Sequence, residues 1–372
     1  MRFDTIIIGG GLAGLTAGIS LQKAGQSTAI VSAGQNSLHF FSGTFESMLG
    51  MPPRVVDLFA EAGIHLHYTP GVRLMSLGTF GKAFLALEDT DLFPTEKFAR
   101  KALVVNFAGF NDFFSSFLAQ GLEKQGIACR VRLIHLPELD PLRQSPSEMR
   151  SVHMARILDG IWEKVVQEVR VLIKDEDAVI LPQVFGLQGA DIPMKIRQAI
   201  PARVVFAATM PPSVPGIRTQ MMLHRRYEIL GGTYLMGDEV ARAHVHDSVV
   251  HSVATKNMDQ HFLTGDHFIL ATGRFFAKGL ASTPEKVYEP IFGLDVDYSP
   301  DRNTWYDADF LKYQPYMRFG VKTDPQLHPM VGGEPLKNLY AVGSILGMTR
   351  PDLGSGAGLA INSAFTAVDN IL

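Results

Sequence analysis

Residues 1–25, MRFDTIIIGGGLAGLTAGISLQKAG, decide how this chain folds. Phe3 to Ile8, FDTIII, is a β-branched run of the kind that forms a strand buried on both faces. It runs straight into Gly9-Gly10-Gly11-Leu12-Ala13-Gly14, a G-x-G-x-x-G. Leu15 to Ala24 then shows helical spacing, Gly25 closes the helix, and a second strand follows at Thr28 to Val31. Gly9 permits the tight turn, Gly11 lets backbone approach a diphosphate, and Gly14 lets helix pack on strand. The helix N-terminus presents unpaired N–H groups and partial positive charge to phosphate oxygens. Gly18 extends the small-residue face of that helix. In a chain with 35 glycines the motif alone is easily matched by chance. Set between a strand and a helix, and followed by a second strand, it specifies a nucleotide phosphate site.

The next stretch, TAIVSAGQ at 28–35, departs from the pattern. An acid at the end of the second strand ordinarily holds the adenosine ribose; this chain has Ser32. A carboxylate bonded to ribose hydroxyls contributes ~1.5–3 kcal/mol. Its loss weakens the case for NAD and for an ordinary FAD site. FAD can still be held by backbone and apolar contacts to its adenosine, and FMN needs no acid at all.

Bulk properties bound the rest. A length of 372 residues suggests two intertwined domains. Net charge of −3, with basic residues scattered, gives no electrostatic case for nucleic acid or for an anionic membrane surface. The single cysteine, Cys129, excludes an internal disulfide, a Cys-rich zinc site and a cysteine-ligated iron–sulfur cluster within this chain. In KQGIACRVRLI it reads as a small core hydrophobe opening a strand. No apolar run approaches the roughly 20 residues needed to span a bilayer. Arg2 and the apolar stretch after it superficially resemble a signal peptide, but Asp4 and the glycine spacing make better sense as folded structure. The expected location is cytoplasmic.

Further flavoprotein marks lie far down the chain. Residues 231–275 alternate like antiparallel strands, with turns near Lys256-Asn257 and Gly265-Asp266. They end in Phe268 to Ala271 and then Thr272-Gly273, an A-T-G strand end that packs on the nucleotide. Asn338 to Gly343 forms another strand ending in glycine, followed by Ser344. DLGSGAGLAINSAFTAVDNIL is then a glycine-rich loop opening a terminal helix, whose N–H groups around Gly356 can stabilise negative charge on a reduced flavin ring. The candidate cofactor-binding residues are therefore Gly9, Gly10, Gly11, Leu12, Ala13, Gly14, Ser32, Thr272, Gly273, Gly343, Ser344 and Gly356.

The expected fold is α/β, a Rossmann-like FAD/NAD(P)-binding flavoprotein fold with an inserted α+β substrate or cap domain. Residues 1–75, 226–275 and 331–372 form the discontinuous flavin-binding domain. Residues 76–225 form the insert, with helices at Phe110 to Lys124 and Arg150 to Arg170 and a strand at Val179 to Leu181. The loop-rich segment 276–330 completes the cap. A second G-x-G-x-x-G is absent, so there is no separate NAD(P)H domain. Electrons leaving a flavin here go to another protein or to a diffusible acceptor.

These residues carry a resemblance. MRFDTIIIGGGLAGLTAGISLQKAG, the loop SAGQNSLHFFSGTFE and the C-terminal NLYAVGSILG…DLGSGAGLAIN resemble the B subunit of anaerobic glycerol-3-phosphate dehydrogenase. The most specific part is S-L-H-F-x-S-G at 37–43. The resemblance implies an FMN-dependent subunit that pairs with a FAD-bearing A subunit and with an iron–sulfur C subunit that anchors the complex to the membrane. It implies oxidation of sn-glycerol 3-phosphate to dihydroxyacetone phosphate during anaerobic growth, with electrons passed to quinone. It also implies a place at the inner face of the cell membrane, held there through the partners. The succinate dehydrogenase and fumarate reductase flavoproteins are similar too, and some hold FAD with a serine at that strand end. Ser344, like Ser32, stands where many FAD enzymes place an acid. FMN is the first choice of cofactor and FAD the alternative.

Four residues are candidates for the reaction itself. His39 lies in the loop after the second strand, where related folds pass near the flavin and where succinate dehydrogenase relatives attach it covalently. Arg274, directly after Thr272-Gly273, can pair with phosphate through its planar fork. His328, in TDPQLHPMVGG, can serve as general base. Arg350, in GMTRPD, can bind phosphate at the mouth of the flavin pocket. His65 with His67, and His244 with His246, put two imidazoles on one strand face, but acidic partners at ligand spacing are not evident; no metal is expected. Two other functions fit the same features: a flavin electron-relay subunit without turnover of its own, and a stand-alone flavin oxidoreductase of another substrate.

Overall fold

The computed structural model describes residues 1–34, 36–45, 53–68, 70–258, 262–309, 312–349 and 356–372. The opening follows the spacing of its sequence. β1 (Arg2–Ile8) buries Ile6 and Ile7 completely, α1 (Leu12–Lys23) follows, and β2 (Thr28–Ser32) is buried throughout. Gly25 takes φ +87 and returns its N–H to the Gln22 carbonyl, which ends the helix.

Next come β3 (Lys101–Phe107), α2 (Ser115–Lys124), β4 (Ala128–Ile134), α3 (Ser151–Leu158), α4 (Trp162–Leu172), β5 (Ala178–Pro182), α5 (Ile192–Ala199) and β6 (Arg203–Ala207). After them the chain runs through α6 (Val214–Ile229), β7 (Thr233–Met236), β8 (Val240–His246), β9 (Val249–Thr255), β10 (Leu263–Leu270), β11 (Leu339–Ala341) and α7 (Gly356–Ile371).

The chain divides into two compact units: residues 1–37, 46–63 and 220–372, and residues 38–45 and 64–219. The first unit is built on a seven-stranded sheet ordered β7-β2-β1-β10-β9-β8, with β11 also beside β10. Its parallel register fixes the site. Ile8 lies level with Val31 on one side and Leu270 on the other, and Leu270 lies level with Ala341. Gly9, Ser32, Thr272 and Gly343 therefore all emerge from one edge of the sheet. Gly265-Asp266, expected to be a turn, lies inside β10: Gly265 pairs with Phe3, and Asp266 bonds Arg2 at 2.7 Å.

One face of this sheet packs Ile6, Ile8, Phe268, Leu270 and Leu339 against Leu280, Val287, Leu294, Phe319 and Val321. Segment 276–330, expected to complete the cap, thus supplies core to the nucleotide-binding unit. Its apolar residues are spaced by turns rather than by a helical or strand period, which hides their burial from the sequence.

The second unit, the expected insert, is built on a four-stranded sheet, β6-β5-β3-β4, all parallel, over a core that includes Val104, Val105, Ile180, Leu181, Val205 and Phe206, beside short antiparallel pairs such as Gly71–Leu74 with Phe80–Ala83. The helix expected over 110–124 begins only at Ser115, because Phe110 and Phe113 are buried in the turn before it. The helix expected over 150–170 is interrupted at Asp159, whose carboxylate accepts the backbone N–H groups of Gly186 and Gln188 at 2.7 and 2.8 Å. Cys129 is half-buried near the start of β4, and burial, then the nearby Glu123 charge, pushes its thiol up to about 11. That is an inert thiol.

Candidate functional site

The four glycines of the G-x-G-x-x-G turn have different tasks. Gly9 takes φ +120, and a Cβ there would lie 2.3 Å from the Ala271 carbonyl oxygen. At Gly14 a Cβ would meet the Gly9 carbonyl oxygen at 2.0 Å, so glycine is what lets α1 sit on the end of β1. At Gly10 a Cβ would meet the Tyr234 hydroxyl at 2.0 Å and Ser32 Oγ at 2.7 Å. Those three are required by the protein's own packing. Gly11 is not: the nearest atom to a Cβ there is Asn36 Cβ, at 3.9 Å, and its backbone is extended (φ −79, ψ −169). Among the described residues the space beside Gly11, at the start of α1, is open.

That helix start is electropositive. Gly11 caps it without a side-chain bond, and its first turn contains no acid. Leu12 and Ala13, the next residues, are buried, so what they offer a ligand is backbone N–H. Asn36, buried, donates from Nδ2 to the Gly10 carbonyl at 3.0 Å and holds the turn beside Gly11.

The other strand ends converge here. The Gly273 Cα faces Ser344, with Oγ 3.3 Å from where a Cβ would stand. Thr272 Oγ1, beside Gly279 and 2.6 Å from where a Cβ there would stand, is buried without a hydrogen-bond partner, an orphaned polar atom at this strand end. Gly343 takes φ +75, and a Cβ there would come within 3.1 Å of Ala13 Cβ. Its N–H is already engaged by Ser363 Oγ of α7 at 2.8 Å, and Ser363 in turn donates to the Leu359 carbonyl at 2.6 Å. Gly356 opens α7, exposed, with nothing within 4 Å of a Cβ. An open glycine, an uncapped helix start and an orphaned hydroxyl on one edge fit the phosphate and ring of a flavin.

The charged candidates separate. Arg274 is largely buried, and burial, against the nearby Tyr313, lowers its pKa. Its fork donates to the Met317 carbonyl, to the Leu346 carbonyl at 2.9 Å and to Thr349 Oγ1. It clasps the segment after β11 rather than presenting its fork outward. His328 donates or accepts at Nδ1 with Asp324 at 3.0 Å, and its ring lies 4.7 Å from that of Tyr340. The same turn is tied at Gln326 to Asn370 in the last turn of α7, whereas Gly343 meets Ala360 near that helix's beginning. The residue before His328 lies against β11 as well, the Leu327 carbonyl accepting the Ala341 N–H at 2.9 Å, so His328 flanks the last strand. The packing of this turn against β11 was invisible in TDPQLHPMVGG. His39 belongs to the second unit, in a short 3-10 helix, and its carbonyl accepts from Ser213 N at 2.8 Å. Arg350 lies outside the described residues.

His67 Nε2 bonds the Thr90 carbonyl at 2.8 Å, and the His244 ring lies 5.7 Å from His251. Among the described residues no group of three or more His, Cys, Asp or Glu is arranged to hold a metal ion, and no helix is long and apolar enough to cross a membrane. Sequence reasoning missed Asn36, Ser363 and Tyr234; none stands in a motif, and each acts across a long sequence separation or through a backbone bond.

A protein-family model, FAD binding domain, matches residues 4–62 and 53–359. The B subunit of anaerobic glycerol-3-phosphate dehydrogenase from Pectobacterium atrosepticum is 36% identical over 418 aligned residues, covering all of this chain and 99% of that protein. The protein of the same name from Yersinia pseudotuberculosis is 34% identical over 417, covering 100% and 98%. Among solved structures, Thermovibrio ammonificans THI4 is similar at 10% identity and a TM-score of 0.39, over 100% of this chain and 88% of that one. Whole-length identity above a third, joined to the flavin-binding family match, shows that this chain belongs to the family of anaerobic glycerol-3-phosphate dehydrogenase B subunits.

Proposed function

We propose that this chain is the flavin-bearing dehydrogenase subunit that oxidises sn-glycerol 3-phosphate to dihydroxyacetone phosphate and hands the electrons to partner subunits. The observation that carries the reading is the whole-length identity to proteins of that name, over a strand edge whose one open glycine faces an uncapped helix start. When bound, a flavin supplies the hydride acceptor that no side chain of this protein can be.

The chain's own residues bind and orient. Backbone N–H groups at Leu12 and Ala13 would hold a flavin phosphate, Asn36 holds the Gly10 carbonyl in place, and Thr272 and Ser344 would bound the rest of the cofactor. Arg274 holds the loop beyond Leu346 in place, and that loop leads to Arg350, which keeps its proposed contact with the substrate phosphate. FMN is the proposed cofactor, because Ser32 and Ser344 replace both acids that bind sugar hydroxyls. The proposed partners are a FAD-bearing A subunit and an iron–sulfur C subunit that attaches the complex to the inner face of the membrane; in support, the relatives are named as one subunit of a larger enzyme.

Anaerobic titration of the purified, flavin-loaded chain with glycerol 3-phosphate tests the assignment. Bleaching of the flavin by the chain alone is the expected result. Bleaching only after the A subunit is added would make this a relay subunit.

A further inference from the structure

Where nucleotide-binding folds hold a ribose, over the end of β2, this protein has placed a side chain of its own. The Tyr234 hydroxyl donates to the Gly10 carbonyl at 3.4 Å and hydrogen-bonds Ser32. It occupies the volume that a Cβ at Gly10 would otherwise fill, 2.0 Å from that position. Ser32 Oγ, the atom in place of the ribose-binding carboxylate, is buried beneath it.

The phenol is braced on both sides. Its ring lies 4.0 Å from that of His224 on α6 and edge-on to Tyr227, 6.4 Å away at 71°. Tyr227 is fully buried, with its hydroxyl 2.7 Å from Thr28 Oγ1. Two glycines admit that ring: a Cβ at Gly18 would lie 2.8 Å from Tyr227, and one at Gly232 would lie 2.2 Å from it. Gly18 is therefore explained by an aromatic wedge rather than by helix packing alone. Tyr234 cannot swing aside without disturbing this stack. Nor does it replace the missing acid as an anion: burial first, then the charge of Glu228, moves its pKa above the ordinary tyrosine range, against the Ser32 bond.

We infer that Tyr234 is a specificity-determining residue that closes the adenosine side of the flavin site, so that the site accepts a flavin ending at its first phosphate and rejects a dinucleotide. This rests on the flavin reading above. The chemistry is one of exclusion: a neutral hydroxyl satisfied by Gly10 and Ser32, on a fixed ring, offers an incoming ribose neither room nor an anionic acceptor.

Apoprotein stripped of flavin is titrated calorimetrically with FMN, FAD and ADP, as wild type, Tyr234→Phe and Tyr234→Ala. Wild type is expected to bind FMN at least about tenfold tighter than FAD, the scale of one charge-assisted hydrogen bond, and to show no binding of ADP. Tyr234→Phe keeps the ring and should keep that preference, whereas Tyr234→Ala should shift the ratio toward FAD about tenfold and gain ADP binding. Tighter FAD than FMN binding by wild type, weakened in Tyr234→Phe, would overturn the inference by making the hydroxyl a ribose ligand. That result would leave the flavin reading standing. Binding of neither flavin would defeat the flavin reading, and this inference with it.

Discussion

Each unit carries a sheet with parallel strands, and the two sheets differ at the ends of those strands. In the second unit, order β6-β5-β3-β4 reverses direction between β5 and β3, which is the place where open α/β sheets put their ligands. Yet that crevice is filled. Asn106, at the end of β3, donates to the Phe110 and Phe113 carbonyls at 3.1 Å each and accepts from Phe107 N. Arg143 lies 3.3 Å from where a Gly109 Cβ would stand and bonds the Ala108 carbonyl at 2.8 Å. At the end of β5, Gln183 is engaged by Arg73 and by Thr90. In the first unit the corresponding edge leaves Gly11 open, with an uncapped helix beside it. Topology offers a crevice; whether it becomes a site depends on what the chain's own side chains already fill.

The sharpest way to break that comparison is Gly11→Leu. Its backbone tolerates any residue and no described residue fills the space, so the variant should fold with an unchanged melting temperature. Flavin affinity should fall ~100-fold or more, because at least two charge-assisted phosphate bonds of ~1.5–3 kcal/mol each are lost. Full flavin content in the folded variant would remove the ligand from this turn. Gly14→Ala should behave in the opposite way, losing the fold itself, since its Cβ would stand 2.0 Å from the Gly9 carbonyl oxygen; soluble, cooperatively melting Gly14→Ala protein would contradict the packing described.

Asn106→Ala probes the filled crevice. The Phe110 carbonyl and the Phe107 N–H lose the Asn106 bond, and the Phe113 carbonyl keeps only the Ser115 N–H, which should cost about 1–3 kcal/mol of stability in chemical denaturation while flavin content stays at the wild-type level. Equal stability would show that these bonds do not close the second unit's strand ends.

These contrasts explain what the sequence made legible. The first strand, glycine turn and helix form a local pattern, and so do the A-T-G strand end and the glycine after β11; register then brings distant pieces to one edge. Tyr234 was hidden because it meets Gly10 across 224 positions. Arg274 looked like a phosphate ligand because a sequence does not reveal that Met317, Leu346 and Thr349 fold around its fork. The second unit's helices were misjudged at Phe110 and Asp159 because apolar spacing of helical period continued through turns, one held by the preceding Asn106 side chain and the other by Asp159 accepting N–H groups from distant Gly186 and Gln188.

Glu289 gives a smaller test, of segment 276–330 as core. Burial raises its pKa above the ordinary glutamate value, although it accepts N–H bonds from Ile291, Phe292 and Gly293. A carboxyl with a raised folded-state pKa binds protons more tightly when folded, so stability should decline as pH rises from about 4.5, the unfolded value, through the raised one. Glu289→Gln should flatten that part of the stability profile. A variant that retains the full wild-type slope there would place this turn outside the core.

Whether the open edge of the first unit holds one flavin without an adenosine is tested most directly by denaturing the purified protein and weighing what it releases. One FMN per chain is the expected result. FAD, or no flavin at all from a fully folded preparation reconstituted with both, would contradict it.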